Sequence, residues 1–178
     1  MPNQCTRLFA LGLLTLGAGG VAQANQSRYT PLTAPPCLTI KVYEPEGSTQ
    51  RCPGLPGYRL LIEEGDLRSS VTVVAPGGRR WPLNYWSVIS GAFTSLGPRA
   101  EWRLARQNGR WQPVALIVRV SANEDVNHPD RLTSYLAVAK ITPGAVCVTA
   151  RIGPGAQANG QAREAADRAS RQPCLKTG

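Results

Sequence analysis

Residues 79–86 combine two arginines with three aromatic residues, in the order Arg79-Arg80-Trp81-Pro82-Leu83-Asn84-Tyr85-Trp86. Guanidinium groups bind anions, and aromatic faces stack on sugars or bases. Pro-Gly-Gly precedes the segment and Pro82 interrupts it, which indicates a loop at its start, where ligand contacts tend to gather. We therefore predict a ligand-binding surface formed by Arg79, Arg80, Trp81, Tyr85 and Trp86. The alternative is that both tryptophans are core residues and the arginines flank a strand.

A second basic and aromatic pair is predicted at a hairpin. Asn108-Gly109 favours a two-residue type I′ turn between residues 100–106 and 111–120. Residues directly opposed across such a turn share a face, and the predicted pairs are Arg106 with Trp111, Leu104 with Pro113, and Trp102 with Ala115. Arg106 would then lie over the Trp111 ring and extend the binding surface. Because Pro113 cannot donate a ladder hydrogen bond, we predict a sheet edge at that end of the hairpin.

The sequence offers few candidates for a catalytic residue. His128 is the only histidine and shares residues 124–130 with three carboxylates, but the spacing is not that of a calcium loop and indicates a solvated surface loop. No G-x-S-x-G or S-x-x-K motif is present, and His128 is the sole candidate base for a serine. Carboxylate chemistry stays open if Glu63, Glu101 or Asp130 converge in a pocket, with Glu64 and Asp66 as further candidates. Their simpler role is to pair with nearby arginines. We predict no catalytic residue, no metal and no cofactor.

The amino terminus has the layout of a cleavable secretory signal. Arg7 precedes an apolar run at residues 8–16, and a stretch of small residues ends in Ala22-Gln23-Ala24. The apolar run is shorter than the ~20 residues that span a bilayer, and no later segment approaches that length. Residues 1–24 are therefore predicted to be a signal peptide, and the mature protein is predicted to be periplasmic or secreted.

Four cysteines remain after loss of Cys5 with the signal. An even number in an exported chain indicates two disulfides, although four cysteines allow three connectivities. We predict Cys37 with Cys52 and Cys147 with Cys174, because each pair closes a short loop. No C-x-x-C spacing supports zinc.

The charge of the mature chain favours anionic partners. Removing Arg7 leaves 19 basic residues against 11 acidic ones, a formal charge of +8. An anionic envelope component or an acidic protein is the expected partner, and nucleic acid is not expected. The alternative is that the charge serves solubility alone.

The elements that would position these residues are mostly strands. Residues 25–36 are predicted to be a flexible, proline-rich lead-in, and residues 37–178 a single disulfide-linked domain. Alternation and turn residues predict strands at residues 37–43, 58–63, 70–75, 85–93, 100–106, 111–120, 132–141 and 145–152. Pro143-Gly144 fits a type II turn between the last two. Alanines at helical spacing after Gly155 predict a C-terminal helix with an Arg163–Asp167 pair on its other side. The predicted fold is mainly β, of the α+β class: an antiparallel sandwich or barrel-like sheet of six to eight strands with one C-terminal helix.

Several segments together resemble small exported proteins of proteobacteria that have no assigned activity. The segments are Cys52-Pro53-Gly54 with Gly57-Tyr58, Glu64-Gly65-Asp66-Leu67-Arg68, Ala100-Glu101-Trp102-Arg103, and Ala162-Arg163-Glu164-Ala165-Ala166-Asp167 before Cys174. The likeness spans most of the mature chain and implies no activity, ligand or site residue.

These observations lead to three functional hypotheses. The first is a non-enzymatic exported binding module that uses the Arg and Trp surface. The second is an assembly accessory that acts through an exposed sheet edge, and the third is a hydrolase that uses carboxylates.

Overall fold

A computed structural model describes residues 24–176 of the chain. The predicted signal peptide lies outside the described residues, except for its last position. The described residues form ten strands and two helices: β1 (Gln26–Pro31), β2 (Leu38–Val42), β3 (Gly47–Pro53), β4 (Arg59–Gly65), β5 (Arg68–Val74), β6 (Arg80–Pro82), α1 (Tyr85–Val88), β7 (Phe93–Gln107), β8 (Arg110–Asn123), β9 (Thr133–Ile141), β10 (Val146–Ile152) and α2 (Ala158–Arg168). A 3₁₀ turn at Ala169–Arg171 extends α2. No helix among these residues is long and apolar enough to cross a membrane.

The strands form two antiparallel sheets of five. Sheet A has the order β1-β7-β8-β9-β10, and sheet B the order β2-β3-β4-β5-β6. Both sheets contribute to one hydrophobic core, in which Leu60 and Val73 of sheet B cluster with Trp102, Leu116 and Val148 of sheet A. The Trp102 side chain is fully buried, and its Nε1 donates to Thr30 Oγ1 at 2.9 Å, which ties β1 to the core. The mainly β fold with a C-terminal helix is confirmed.

The second face of sheet A is covered by α2. Ala158, Ala162 and Ala166 are buried against Ile117 and Val138 of the sheet. Small side chains allow the helix backbone to lie close to the sheet, so the alanine stripe is explained by packing.

Two charged residues of α2 form ion pairs with sheet A. The predicted Arg163–Asp167 pair is wrong, because Arg163 Nε donates to Glu101 Oε1 at 2.7 Å and Arg103 Nη2 to Asp167 Oδ2 at 2.8 Å. A carboxylate and a guanidinium of β7 thus replace the expected partner within the helix.

Both predicted disulfides are present. Cys37–Cys52 joins the start of β2 to β3, and Cys147–Cys174 joins β10 to the segment after α2. Paired cysteines of this kind are typical of proteins from oxidising compartments.

The structure has ten strands, whereas six to eight were predicted. The strands that were not predicted are β1, β3 and β6. β1 lies in the predicted flexible lead-in, where all six of its residues pair with β7. β3 lies between the predicted strands at residues 37–43 and 58–63, where no strand is predicted. These segments lack apolar alternation, so tertiary pairing rather than local pattern makes them strands.

The predicted strand at residues 85–93 is wrong. Tyr85–Val88 is one turn of α1, and Phe93 begins β7. Asn84, with φ of 48°, turns the chain out of β6 and into this helix.

The Asn108-Gly109 hairpin is confirmed, but its register shifts. Arg106 faces Trp111 and Leu104 faces Pro113 as predicted, whereas Trp102 faces Leu116 instead of Ala115 because of a bulge beyond Pro113. Pro113 lies in the part of β8 that pairs with β7 alone, since pairing with β9 begins at Ala115. The last hairpin is also confirmed, but Gly144 lacks the positive φ of a type II turn.

Candidate functional site

Residues 79–86 do not form one surface. Arg79 and Trp81 are two positions apart along the β6 segment, and successive strand residues point to opposite sides. The Arg79 guanidinium carbon lies 5.4 Å from the centre of the Trp81 ring. Arg80 is exposed and does not line the cleft that Arg79 and Trp81 border.

Tyr85 belongs to the core and cannot contact a ligand from outside. Its side chain is fully buried, and its hydroxyl has no hydrogen-bond partner. Burial raises the pKa of the Tyr85 phenol far above its ordinary value of 10.0. The backbone N–H of Tyr85 donates to Ser70 Oγ at 3.1 Å, which anchors α1 on β5. The prediction of Tyr85 as a binding residue is therefore wrong.

Trp86 lies elsewhere, in a separate cavity of about 400 Å³. Its neighbours there include Tyr43, Glu63 and Arg68. The Trp86 side chain is 39% exposed. The aromatic residues of the segment are thus divided among a cleft, the core and this second cavity.

A cleft of about 840 Å³ brings Arg79 and Trp81 together with the tip of the β7–β8 hairpin. Gln107 and Gln112 line it from the tip, and Tyr58 lines it from the start of β4. The tip projects past its neighbours, because β1 pairs only as far as Leu104. The result is a groove with two aromatic rings, one guanidinium, one carboxylate from Asp167 and three side-chain amides, since Asn25 also lines it.

Arg106 and Trp111 share a face of the hairpin but do not line this cleft. Arg106 is exposed, whereas Trp111 is partly buried and packs against the shared core. Ala105 faces Gln112 in the register, so Gln107 and Gln112 lie on the opposite face from Arg106 and Trp111. The predicted pair therefore belongs to the hairpin that borders the cleft but lies on its other face.

Tyr58, Gln107 and Gln112 were missed by sequence reasoning. The turn at Asn108-Gly109 carried a signal for the two glutamines, because the register that it sets places them on one face. Nothing local marks Tyr58. It lies near Trp81 within sheet B, because Tyr58 is two positions before Leu60 and the register pairs Val73 with both Leu60 and Trp81. Tyr58 is held by an edge contact with Trp102 at 5.6 Å between ring centres, and burial raises the pKa of its phenol.

A polar network supports the α2 side of the cleft. Asp167, which lines the cleft, accepts hydrogen bonds from Arg103, whose side chain also donates to Ser27 Oγ. Burial alone would raise the pKa of Asp167, but the hydrogen bonds from Arg103 and Asn25 outweigh it and lower the pKa below the ordinary 3.8. Because Arg103 binds this carboxylate, Arg79 is the arginine that lines the cleft and can contact a ligand.

The other candidate carboxylates do not form a single cluster. Glu63 and Glu64 line the cavity beside Trp86, Glu64 and Asp66 line another pocket, and Glu101 and Asp130 lie elsewhere. Glu63 accepts a hydrogen bond from Thr72, Glu101 binds Arg163, and Asp66 pairs with Arg68. Asp130 lies in an exposed loop, where His128 contacts Asp125 at 2.8 Å. The structure does not bring Glu63, Glu101 and Asp130 into one pocket. Within residues 24–176, no group of three or more histidine, cysteine or acidic side chains is placed to hold a metal.

The chain matches no protein-family model, no curated protein and no solved structure. The fold and the cleft therefore carry the functional argument.

Proposed function

We propose that this protein is an exported, non-enzymatic binding module that holds an acidic glycan in the cleft between Trp81 and the hairpin tip. The observation that carries the proposal is the Arg79 guanidinium stacked on Trp81 in a groove of about 840 Å³. A guanidinium binds carboxylate or sulfate groups of a glycan, while Trp81 and Tyr58 offer flat faces to sugar rings. Gln107 and Gln112 supply amide donors and acceptors for hydroxyl groups.

Export supports the proposal from the sequence side. The signal-like amino terminus and the two disulfides fit an oxidising compartment outside the cytoplasm, where anionic envelope glycans are found. The formal charge of +8 after removal of residues 1–24 favours association with a polyanion.

The test compares polygalacturonate with neutral dextran of similar length at about 50 and 300 mM salt, since screening weakens exposed ionic contacts. The mature protein should bind polygalacturonate more tightly, and higher salt should weaken that binding. Arg79→Gln should reduce affinity about tenfold, a cost typical of one lost charge-assisted contact. The matched control is Arg51→Gln, which removes an exposed arginine on β3 outside the described cavities.

Equal binding to the two polymers, or equal effects of the two substitutions, would contradict the proposal. Binding to an acidic peptide such as polyglutamate but not to polygalacturonate would replace the glycan with an acidic protein partner.

A second candidate function rests on β2, which is an edge strand of sheet B. Leu38, Ile40 and Val42 on this strand are 57%, 48% and 66% exposed. An exposed apolar edge can accept an extended strand from a partner protein. A bulge between Thr39 and Lys41 interrupts the ladder, however, and bulges commonly protect edges. Val42→Lys should abolish partner capture at high salt if the edge is used, and Leu132→Lys, in an exposed loop, is the control.

A further inference from the structure

We infer a second binding site, for a phosphate group, in a pocket of about 330 Å³ between sheet A and α2. This pocket shares no lining residue with the cleft. A phosphate site there would be a function separate from the proposed glycan binding.

Three arginines converge on the pocket, from three different elements. Arg99 comes from β7, Arg119 from β8 and Arg163 from α2. Glu101 is the only carboxylate that lines it, and it pairs with Arg163. Among residues 24–176, Arg99 and Arg119 form no ion pair. The pocket therefore has an excess of about two positive charges.

Each guanidinium also contacts a neutral neighbour, and Arg163 is held by Glu101 as well. Arg119 Nη1 donates to Ser134 Oγ at 2.6 Å, and Nη2 donates to Asn159 Oδ1 at 3.2 Å. The Arg99 guanidinium carbon lies 5.2 Å from the centre of the Tyr29 ring. Arg163 Nη2 donates to the hydroxyl of the same tyrosine at 3.1 Å. Oriented guanidinium groups lose less freedom when an anion arrives.

Gly97 makes room for Arg119. A Cβ atom added at Gly97 would lie 2.9 Å from Cβ of Arg119, closer than such atoms approach. Gly97 also lines the pocket. The close backbone approach of β7 therefore fixes where the Arg119 side chain leaves β8.

Charge matching selects the ligand. A phosphomonoester carries about −1.5 to −2 at neutral pH and offers three acceptor oxygens to arginine forks. Such a group would neutralise the excess charge, whereas a single carboxylate would neutralise about half of it. A soluble phosphomonoester and the phosphate of a lipid such as phosphatidate share this chemistry.

The experiment titrates isotope-labelled mature protein with inorganic phosphate, and separately with acetate, at one ionic strength and pH 7.5. Saturable shifts of the arginine side-chain signals are expected with phosphate and not with acetate. Arg119→Gln should weaken phosphate binding at least about tenfold, and Arg119→Lys should weaken it less because it keeps the charge but loses the fork. Arg51→Gln is the control and should change affinity less than about twofold.

If Arg119→Gln does not fold, Arg99→Gln takes its place in the same comparison, because the Arg99 side chain is exposed. Equal binding of acetate and phosphate, or equal losses in the pocket variants and Arg51→Gln, would overturn the inference. Binding of glycerol 3-phosphate is then compared with binding of phosphatidate vesicles, which distinguishes a soluble from a lipid source of the phosphate group. Whichever of the two binds must bind more weakly to the pocket variant. Arg79→Gln should leave phosphate binding intact, so the two sites fail or succeed separately.

Discussion

Trp81 and Tyr85 are four positions apart and serve different purposes. Trp81 is partly exposed in the cleft and stacks with Arg79, whereas Tyr85 fills the core beside Ser70. Composition could predict an aromatic, basic segment, but not this division. The division arises because Asn84 turns the chain with a positive φ, which sends Tyr85 inwards. Two side chains that are close in the sequence therefore need not belong to the same site.

At the level of single residues, Thr30 is predicted to matter through one hydrogen bond. Thr30→Val keeps the side-chain shape but leaves the buried Trp102 Nε1 without its acceptor, which typically costs about 1–3 kcal/mol. Urea denaturation followed by tryptophan fluorescence measures the change. Thr33→Val, at an exposed position after β1, is the control and should alter stability by less than about 0.5 kcal/mol. Equal stabilities of the two variants would show that the bond contributes little.

Glu101 gives the protein a predicted sensitivity to acid. Burial would raise its pKa, but hydrogen bonds from Arg163 and Ser27 outweigh this effect and lower the pKa below 4.5. A carboxyl with a lowered pKa in the folded state stabilises above its unfolded pKa, and that contribution is lost as the pH falls through the folded value. The free energy of unfolding should therefore decline below about pH 4.5.

The measurement is a series of denaturation curves from pH 7 to pH 3. Glu101→Gln should be less stable than wild type at pH 7, and the gap should narrow as the pH falls. Asp167→Asn should behave in the same way because the Asp167 pKa is also lowered. A gap that stays constant over the whole range would contradict the linkage.

At the level of elements, the β4–β5 hairpin turns through Asp66 and Leu67, both with positive φ. A leucine in the left-handed region costs about 1–2 kcal/mol, and its side chain here is largely exposed. Leu67→Gly removes that strain but adds freedom to the unfolded chain, so a net stabilisation of about 0.5–1 kcal/mol is expected. Leu132→Gly, at an exposed leucine without positive φ, should not stabilise. A lower thermal midpoint for Leu67→Gly would contradict this reading of the turn.

Helix α2 is predicted to tolerate no larger side chain on its alanine face. Ala162 is buried against sheet A, so Ala162→Leu should force the helix outwards and cost about 1–3 kcal/mol. Ala156→Leu, just before the helix and exposed, should be nearly neutral. Chemical denaturation of the two variants compares them directly, and equal stabilities would mean that the helix packs more loosely than the structure shows.

Some elements were easier to predict from the sequence than others. The hairpins at Asn108-Gly109 and at residues 142–145 were predictable because turn residues and apolar alternation agree there. β1 and β3 were not predictable, because polar residues dominate both strands. The partner of β1 is also distant in sequence. The bulge that shifts Trp102 to face Leu116 also leaves no mark in composition.

At the level of the whole molecule, the layers explain which functional residues were predictable. Sheet A is covered by sheet B on one face and by α2 on the other, so its charged residues must find partners or reach a rim. Arg103 of sheet A pairs with Asp167, whereas Arg79, which precedes β6 of sheet B, lines the cleft. The basic segment supplies Arg79 and Trp81 to that cleft, whereas Gln107 and Gln112 come to it from sheet A and depend on how the sheets meet.

The disulfide at the carboxyl end should stabilise the whole fold. Cys147 and Cys174 are separated by 27 positions, and closing a loop of this length is worth about 3–4 kcal/mol in the chain-entropy model. The double variant Cys147→Ser/Cys174→Ser should lose about that amount in urea denaturation under non-reducing conditions. A midpoint equal to that of wild type would mean that packing of α2 alone secures the terminus.

The most direct test of the central claim follows the indole signals of the four tryptophans during titration with oligogalacturonate. Assignment by single Trp→Phe variants separates Trp81 in the cleft from Trp86 in the other cavity and from buried Trp102. A glycan bound in the cleft should shift the Trp81 signal saturably and change the Trp86 signal little. A shift at Trp86 with none at Trp81 would place the ligand outside the cleft and contradict the proposed function.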